Sequence, residues 1–246
     1  MGQLQLGIRT TMNKKLLIIT GGSAGIGFQT AQLFADNNYD VINLSRRAIT
    51  LQSAMQFSVD FSQDGWIDPI ADDLLEACQG YDKITLVHNA ALLQKGSAAA
   101  LNKDELQRSL DVNVIAPALL NSLLTPSMQA GSSIIYIGST LSEKAVANSA
   151  YYVIAKHAVV GMMRSTCQDL AGSGIHTTCV CPGFTDTEML RAHVGEDQEI
   201  LKDIASGVTQ GRLVEPEEIA NSIYFCANNP VLNGAVIHAN LGQIEQ

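Results

Sequence analysis

The feature of this 246-residue chain that most restricts its fold is a rhythm of short, nearly unbroken apolar runs alternating with longer helical stretches. Residues 16–20 (LLIIT), 41–44 (VINL), 84–88 (ITLVH), 134–138 (IIYIG), 177–181 (TTCVC) and 235–239 (AVIHA) read as strands. They do not alternate apolar with polar, which is the pattern of parallel strands covered on both faces. Residues 26–37, 67–79, 104–127, 150–171 and 217–228 read as helices, the last opened by a proline and acids suited to a helix start. This order predicts an α/β fold of Rossmann type, a doubly wound parallel sheet with right-handed crossovers and helices on both faces. No Pro/Gly/Ser-rich linker divides residues 12–246, which read as a single domain, and residues 1–11 read as a loose tail. The stretch 46–59 lacks a helical period and reads as a loop or a single turn.

Composition narrows the partners. A formal net charge of −9 argues against nucleic acid and against anionic membranes, both of which need clustered Lys and Arg. No run approaches the roughly 18–20 apolar residues of a membrane span. The N-terminal residues carry neither an apolar stretch nor a cleavage site of a secretory signal. The five cysteines (Cys78, Cys167, Cys179, Cys181 and Cys226) form no CxxC and read as buried thiols of a reducing, cytoplasmic compartment. Cys179 and Cys181 share one strand, on opposite faces or in a shared core. No His/Cys/Asp cluster has metal-ligand spacing, so no metal is expected.

Thr20-Gly21-Gly22-Ser23-Ala24-Gly25-Ile26-Gly27 ends the first strand and opens the first helix. Gly21 suits the tight turn, Gly25 allows close backbone approach to a pyrophosphate, and Gly27 allows helix and strand to pack closely. The helix N-terminus, with Ser23 and Ile26 beside it, then faces an anion. The spacing is Gly-x3-Gly-x-Gly, and with it the chain resembles the short-chain dehydrogenase/reductase family over nearly all its length. Further motifs follow in the family's order: Asp60, His88-Asn89-Ala90-Ala91, Asn113 within Leu110-Asp111-Val112-Asn113-Val114, Ser139, Tyr152-x3-Lys156, and Pro182-Gly183-Phe184-Thr185-Asp186-Thr187. The resemblance implies that Asp60, Asn89 and Ala90 contact the adenosine end of a dinucleotide. It also implies that Pro182, Gly183, Thr185 and Thr187 seat the nicotinamide carboxamide. The chain departs from the family at His88, Ala91 and Asn240-Leu241-Gly242; His88 reads as a core histidine at a strand end.

Reduction of a carbonyl needs a proton at the developing alkoxide, and a free phenol with a pKa of about 10 is a poor donor near neutrality. Tyr152 and Lys156, four apart on one helix, share a face, so the ammonium is expected to lower the phenol's pKa. Tyr151 points elsewhere. Ser139 stands where a hydroxyl can hydrogen-bond the substrate oxygen; the alternative is that it caps the next turn while Ser142 takes that role. By resemblance Lys156 also binds the nicotinamide ribose, and Asn113 holds a water linking Lys156 to solvent; otherwise Asn113 is a satisfied buried amide.

The second strand ends Asn43-Leu44-Ser45-Arg46-Arg47, with Ser45 where an acid would select NAD and two arginines suited to a 2′-phosphate. NADP(H) is therefore the expected cofactor. Residues 188–213 mix apolar and acidic positions and read as a lid over an apolar pocket. The expected substrate is a small ketone or aldehyde. The alternatives are a 3-oxoacyl thioester, as for the 3-oxoacyl-carrier-protein reductases the chain resembles, and a non-catalytic NADP-sensing role. Family members assemble as homodimers or homotetramers, and residues 112–124 offer an apolar face for this.

Overall fold

A computed structural model describes residues 13–195 and 197–244; the tail expected over residues 1–11 lies outside the described residues. Seven strands form one sheet: β1 (Lys15–Thr20), β2 (Tyr39–Ser45), β3 (Ala54–Ser58), β4 (Lys83–His88), β5 (Ser133–Ile137), β6 (His176–Pro182) and β7 (Ala235–Ala239). All pairs are parallel, in the order β3-β2-β1-β4-β5-β6-β7. The expected doubly wound parallel sheet is the one observed.

Alternate side chains of each strand enter two cores. Leu16, Ile18, Leu86, Ile134 and Tyr136 pack under α2 (Ala71–Ala77), α4 (Ala116–Leu124) and α5 (Ala150–Asp169). Leu17, Ile19, Val87, Ile135 and Val180 pack under α1 (Gly25–Asp36) and α8 (Pro216–Ala227). Burying each such Leu or Ile contributes about 1.5–3 kcal/mol, so the apolar runs that defined the strands also stabilise the layers. Of three further helices, α3 (Lys103–Leu110) follows β4, and α6 (Glu188–Val194) and α7 (Gln198–Ser206) follow β6.

Two local readings are corrected, and of the two readings of Cys179 and Cys181 the shared core is the one found. Residues 46–59 include the edge strand β3, whose side chains are largely half-exposed, with Met55 51% exposed, so it shows no apolar run. The helix expected over 104–127 is broken by a π-turn at Asp111–Ile115. There Asn113 Nδ2 donates to Ser109 O (2.9 Å), diverting a carbonyl that the helix would otherwise use. Cys179 and Cys181, two apart on β6, lie on the same face with sulfurs 3.8 Å apart, as strand periodicity requires.

The chain leaves β1 toward β2 on one side, while β4 adjoins β1 on the other, so a crevice opens between their carboxyl ends. Thr20 Oγ1 braces it, accepting from Asn89 N and Ala90 N, each at 3.0 Å. From β2, buried Asn43 accepts from Gly22 N (2.8 Å) and donates to Ser45 Oγ and Gln56 Oε1 (2.8 Å each). Asn43→Ala strands these partners, at about 1–3 kcal/mol. The midpoint of thermal unfolding should fall by roughly 2–12 °C; an unchanged midpoint would show that the glycine-rich turn does not lean on β2.

Candidate active site

A cavity of about 890 Å³ fills the crevice. Gly21, Ser23, Gly25, Ile26 and Gly27 form one wall, and Ser45, Arg46 and Arg47 follow from the end of β2. Asp60 enters beyond β3, and Asn89 with Ala90 beyond β4. Ser139 comes from just beyond β5, Tyr152 and Lys156 from α5, Pro182 from the end of β6, and Gly183, Thr185 and Thr187 from beyond it. Strand order alone thus brings residues from across the sequence to one surface.

The glycine-rich wall fits a dinucleotide. Gly21 and Gly25 have φ of 70° and 52°, and a Cβ at Gly27 would collide with Gly21 O. Ala24, at the N-cap of twelve-residue α1, provides no side-chain cap, so the first-turn N–H groups are left for an anion.

Beyond the turn, the groups are more engaged than sequence suggests. Ser45 is buried, accepting from Asn43 and donating to Arg47 O (2.5 Å). Asp60 Oδ1 accepts from Ser62 N (3.0 Å) and Ser62 Oγ (2.8 Å); these bonds, with Arg46 and Arg108 nearby, hold its carboxyl below the usual range. Arg47 pairs with Glu188, Nη2 to Oε2 at 3.0 Å.

At the other end, Ser139, Tyr152 and Lys156 line the cavity together, with Ser139 near enough to the phenol to lower its pKa. Ser139 caps the following turn, accepting from Leu141 N (3.1 Å), while it also lines the cavity. Ser142 is buried beneath it and accepts from Ser139 N (3.1 Å). Lys156 Nζ lies 5.4 Å from the Tyr152 ring centroid and donates to Ile137 O (2.7 Å). The expected acidic phenol is not found: burial pushes Tyr152 up to about 12, only partly opposed by the Ser139 hydrogen bond. Burial also pushes Lys156 down to about 8. Both groups are withdrawn from water, and desolvation is the largest cause of each shift.

Asn113 does not line the cavity. It is buried and clamps Leu92, accepting from Leu92 N (3.2 Å) and donating to Leu92 O (3.1 Å). Tyr151 is likewise buried, its hydroxyl accepting from Asn102 N (2.7 Å). His88 is a strand-end core residue with Nε2 2.8 Å from Asn121 Oδ1. Its Nδ1 has no partner among the described residues. Burial drives its pKa down to about 4, so it is neutral near pH 7.

Sequence reading missed Arg108, Leu92, Val146, His193 and Gln243, which also line the cavity. None belongs to a local pattern. The lid region supplies Met189, Leu190 and His193 from α6, and Thr187 Oγ1 caps that helix by accepting from Leu190 N (3.2 Å). Among the described residues no group of three His, Cys, Asp or Glu could hold a metal ion. No helix there is long and apolar enough to cross a membrane.

Comparisons with known proteins agree with this architecture. The family described as enoyl-(acyl carrier protein) reductase matches residues 21–243. Carbonyl reductase family member 4 of Xenopus tropicalis is 28% identical over 233 residues, covering 91% of this chain and 95% of its own. The 3-oxoacyl-[acyl-carrier-protein] reductase of Vibrio cholerae is 27% identical over 244 residues, covering 93% and 96%. A short chain dehydrogenase from Burkholderia cenocepacia, solved in complex with NADP, shares the fold with a TM-score of 0.81 at 24% identity, over 93% of this chain and 97% of that one.

Proposed function

The chain belongs to the short-chain dehydrogenase/reductase family of oxidoreductases, and from that premise we propose that it reduces a small ketone or aldehyde with NADPH. The observation that carries the proposal is the meeting of Ser139, Tyr152 and Lys156 in the cavity that the glycine-rich turn also lines. The bound nicotinamide would supply the hydride. Tyr152 gives the proton to the carbonyl oxygen, and Ser139 donates a hydrogen bond that stabilises the charge building there. Lys156, while protonated, holds a positive charge beside the phenol and eases its loss of a proton. Asn113 acts by positioning, fixing the backbone of Leu92 in the cavity wall.

For the cofactor, Arg46 and Arg47 with no acid at Ser45 favour a 2′-phosphate, and the NADP complex of the related fold is consistent with this. The reading extends to a cytoplasmic homodimer or homotetramer formed through the α4–α5 face, where Ile115, Leu119 and Ile154 stay exposed.

NADPH oxidation measured across diketones, aldehydes and a 3-oxoacyl thioester should show turnover fastest with a small carbonyl. Preference for the thioester would move the substrate to acyl chemistry, and tight NADPH binding without turnover would indicate a sensor. Arg46→Asp should weaken NADPH binding at least roughly tenfold more than NADH binding, since a charge-assisted phosphate contact becomes a repulsion; equal losses would refute the NADP assignment. With a neutral substrate, kcat/KM should fall as pH rises through about 8, because Lys156 then loses its charge while Tyr152, near 12, keeps its proton. A plateau reaching pH 10 would show that the lysine charge is not required.

A further inference from the structure

The ion pair between Arg47 and Glu188 joins parts of the chain 141 positions apart. Arg47 lies in the turn after β2, and Glu188 is the first residue of α6. Both line the cavity, and their side chains are 63% and 72% exposed, so a ligand can reach either one. Just before Glu188, Thr187 Cγ2 lies 3.2 Å from where a Cβ on Gly25 would stand. The start of α6 therefore rests directly on the glycine-rich turn. The ion pair continues that contact to the β2 turn, making a strap across the mouth of the cavity.

The cofactor reading assigns Arg46 and Arg47 to a 2′-phosphate. Arg46 lies close enough to Asp60 to help hold its carboxyl ionised, while Arg47 holds the carboxylate of Glu188. A carboxylate and a phosphate bind a guanidinium through the same charge-assisted hydrogen bonds, so only one can have the best geometry on Arg47 at a time. Glu188 thus engages one of the guanidinium groups that the cofactor reading assigns to a phosphate.

We propose that Glu188 sets cofactor discrimination by competing with the 2′-phosphate for Arg47, and that the phosphate frees the start of α6 by displacing it. This inference rests on the NADP(H) reading. NADH has no group to displace Glu188 and leaves the strap closed. When the phosphorylated cofactor departs, Glu188 retakes Arg47, so the competitor weakens NADPH binding modestly and assists its release. No covalent step is involved; one acceptor replaces another on the same cation.

The test is a double-mutant cycle on the full chain at low ionic strength, with NADPH and NADH titrated calorimetrically. Glu188→Gln keeps the length of the side chain and removes its charge. It should tighten NADPH roughly 2–5-fold, the range expected for loss of an exposed ion pair, and leave NADH essentially unchanged. In an Arg47→Gln background the same substitution should have no effect on NADPH. Three outcomes overturn the proposal: an unchanged NADPH affinity, an equal gain for NADH, or a full gain without Arg47. An equal gain would mark a general charge effect or a change at the start of α6. Failure of the underlying cofactor reading is separate: there Arg46→Asp weakens both nucleotides equally.

Discussion

Two hydrogen bonds from the backbone of Asn89 and Ala90 to the hydroxyl of Thr20 tie the ends of β1 and β4 where the sheet reverses its winding. The crevice they brace is where the other parts of the site meet. The glycine-rich turn leaves from Thr20, and Asn89 Nδ2 reaches back to Gly21 O (3.0 Å), so turn and strand end hold each other. Asn43 fixes the turn from β2, while Gly27 lets α1 close upon it without a Cβ in the way. The positively polarised first turn of α1 is thereby aimed into the cavity by packing and by these side-chain bonds, with no side chain capping it. A hydroxyl at Thr20 is a small group, yet it stands between two otherwise open backbone donors at the floor of the site.

At the other end, the same burial that shapes the cavity works against the ionisation that the proposed reduction requires. Tyr152 is pushed up and Lys156 down, each toward its neutral form. A neutral phenol still holds the proton that reduction consumes, so Tyr152 starts in the useful state. Its difficulty is in letting go. Ser139 lowers the phenol's pKa in part, and the ammonium of Lys156, which keeps its charge below a pH of about 8, is proposed to add to this. The lysine's hydrogen bond to Ile137 O fixes the cation close to the ring instead of letting it escape to solvent. In the proposed mechanism, proton transfer depends on a balance between withdrawal from water and a held charge.

Most of the fold was legible because buried parallel strands leave an unmistakable apolar signature, and β1, β4, β5 and β6 are buried almost throughout. The edge strand β3 was not, since Met55 and its neighbours face partly outward and need no apolar run. The break at Asp111–Ile115 was hidden because apolar residues continue through it; what breaks the helix is the Asn113 side chain reaching a backbone carbonyl. In the site, the glycines, Ser139, Tyr152 and Lys156 could be named because their chemistry is bound to local spacing. His193, Gln243 and Arg108 could not, since only tertiary folding brings them to the cavity. The Arg47–Glu188 pair was invisible for the same reason, and so was the depth to which the phenol is withdrawn from water.

The central claim is that Tyr152 gives the proton that completes reduction. It is tested most directly by single-turnover reduction of a responsive carbonyl with saturating NADPH, comparing the native chain with Tyr152→Phe. The substitution removes one oxygen and keeps the ring, so the rate should fall by about 10²–10⁴ while NADPH affinity changes little. Reduction at the native rate, with the phenolic oxygen gone, would contradict the assignment of that proton to Tyr152.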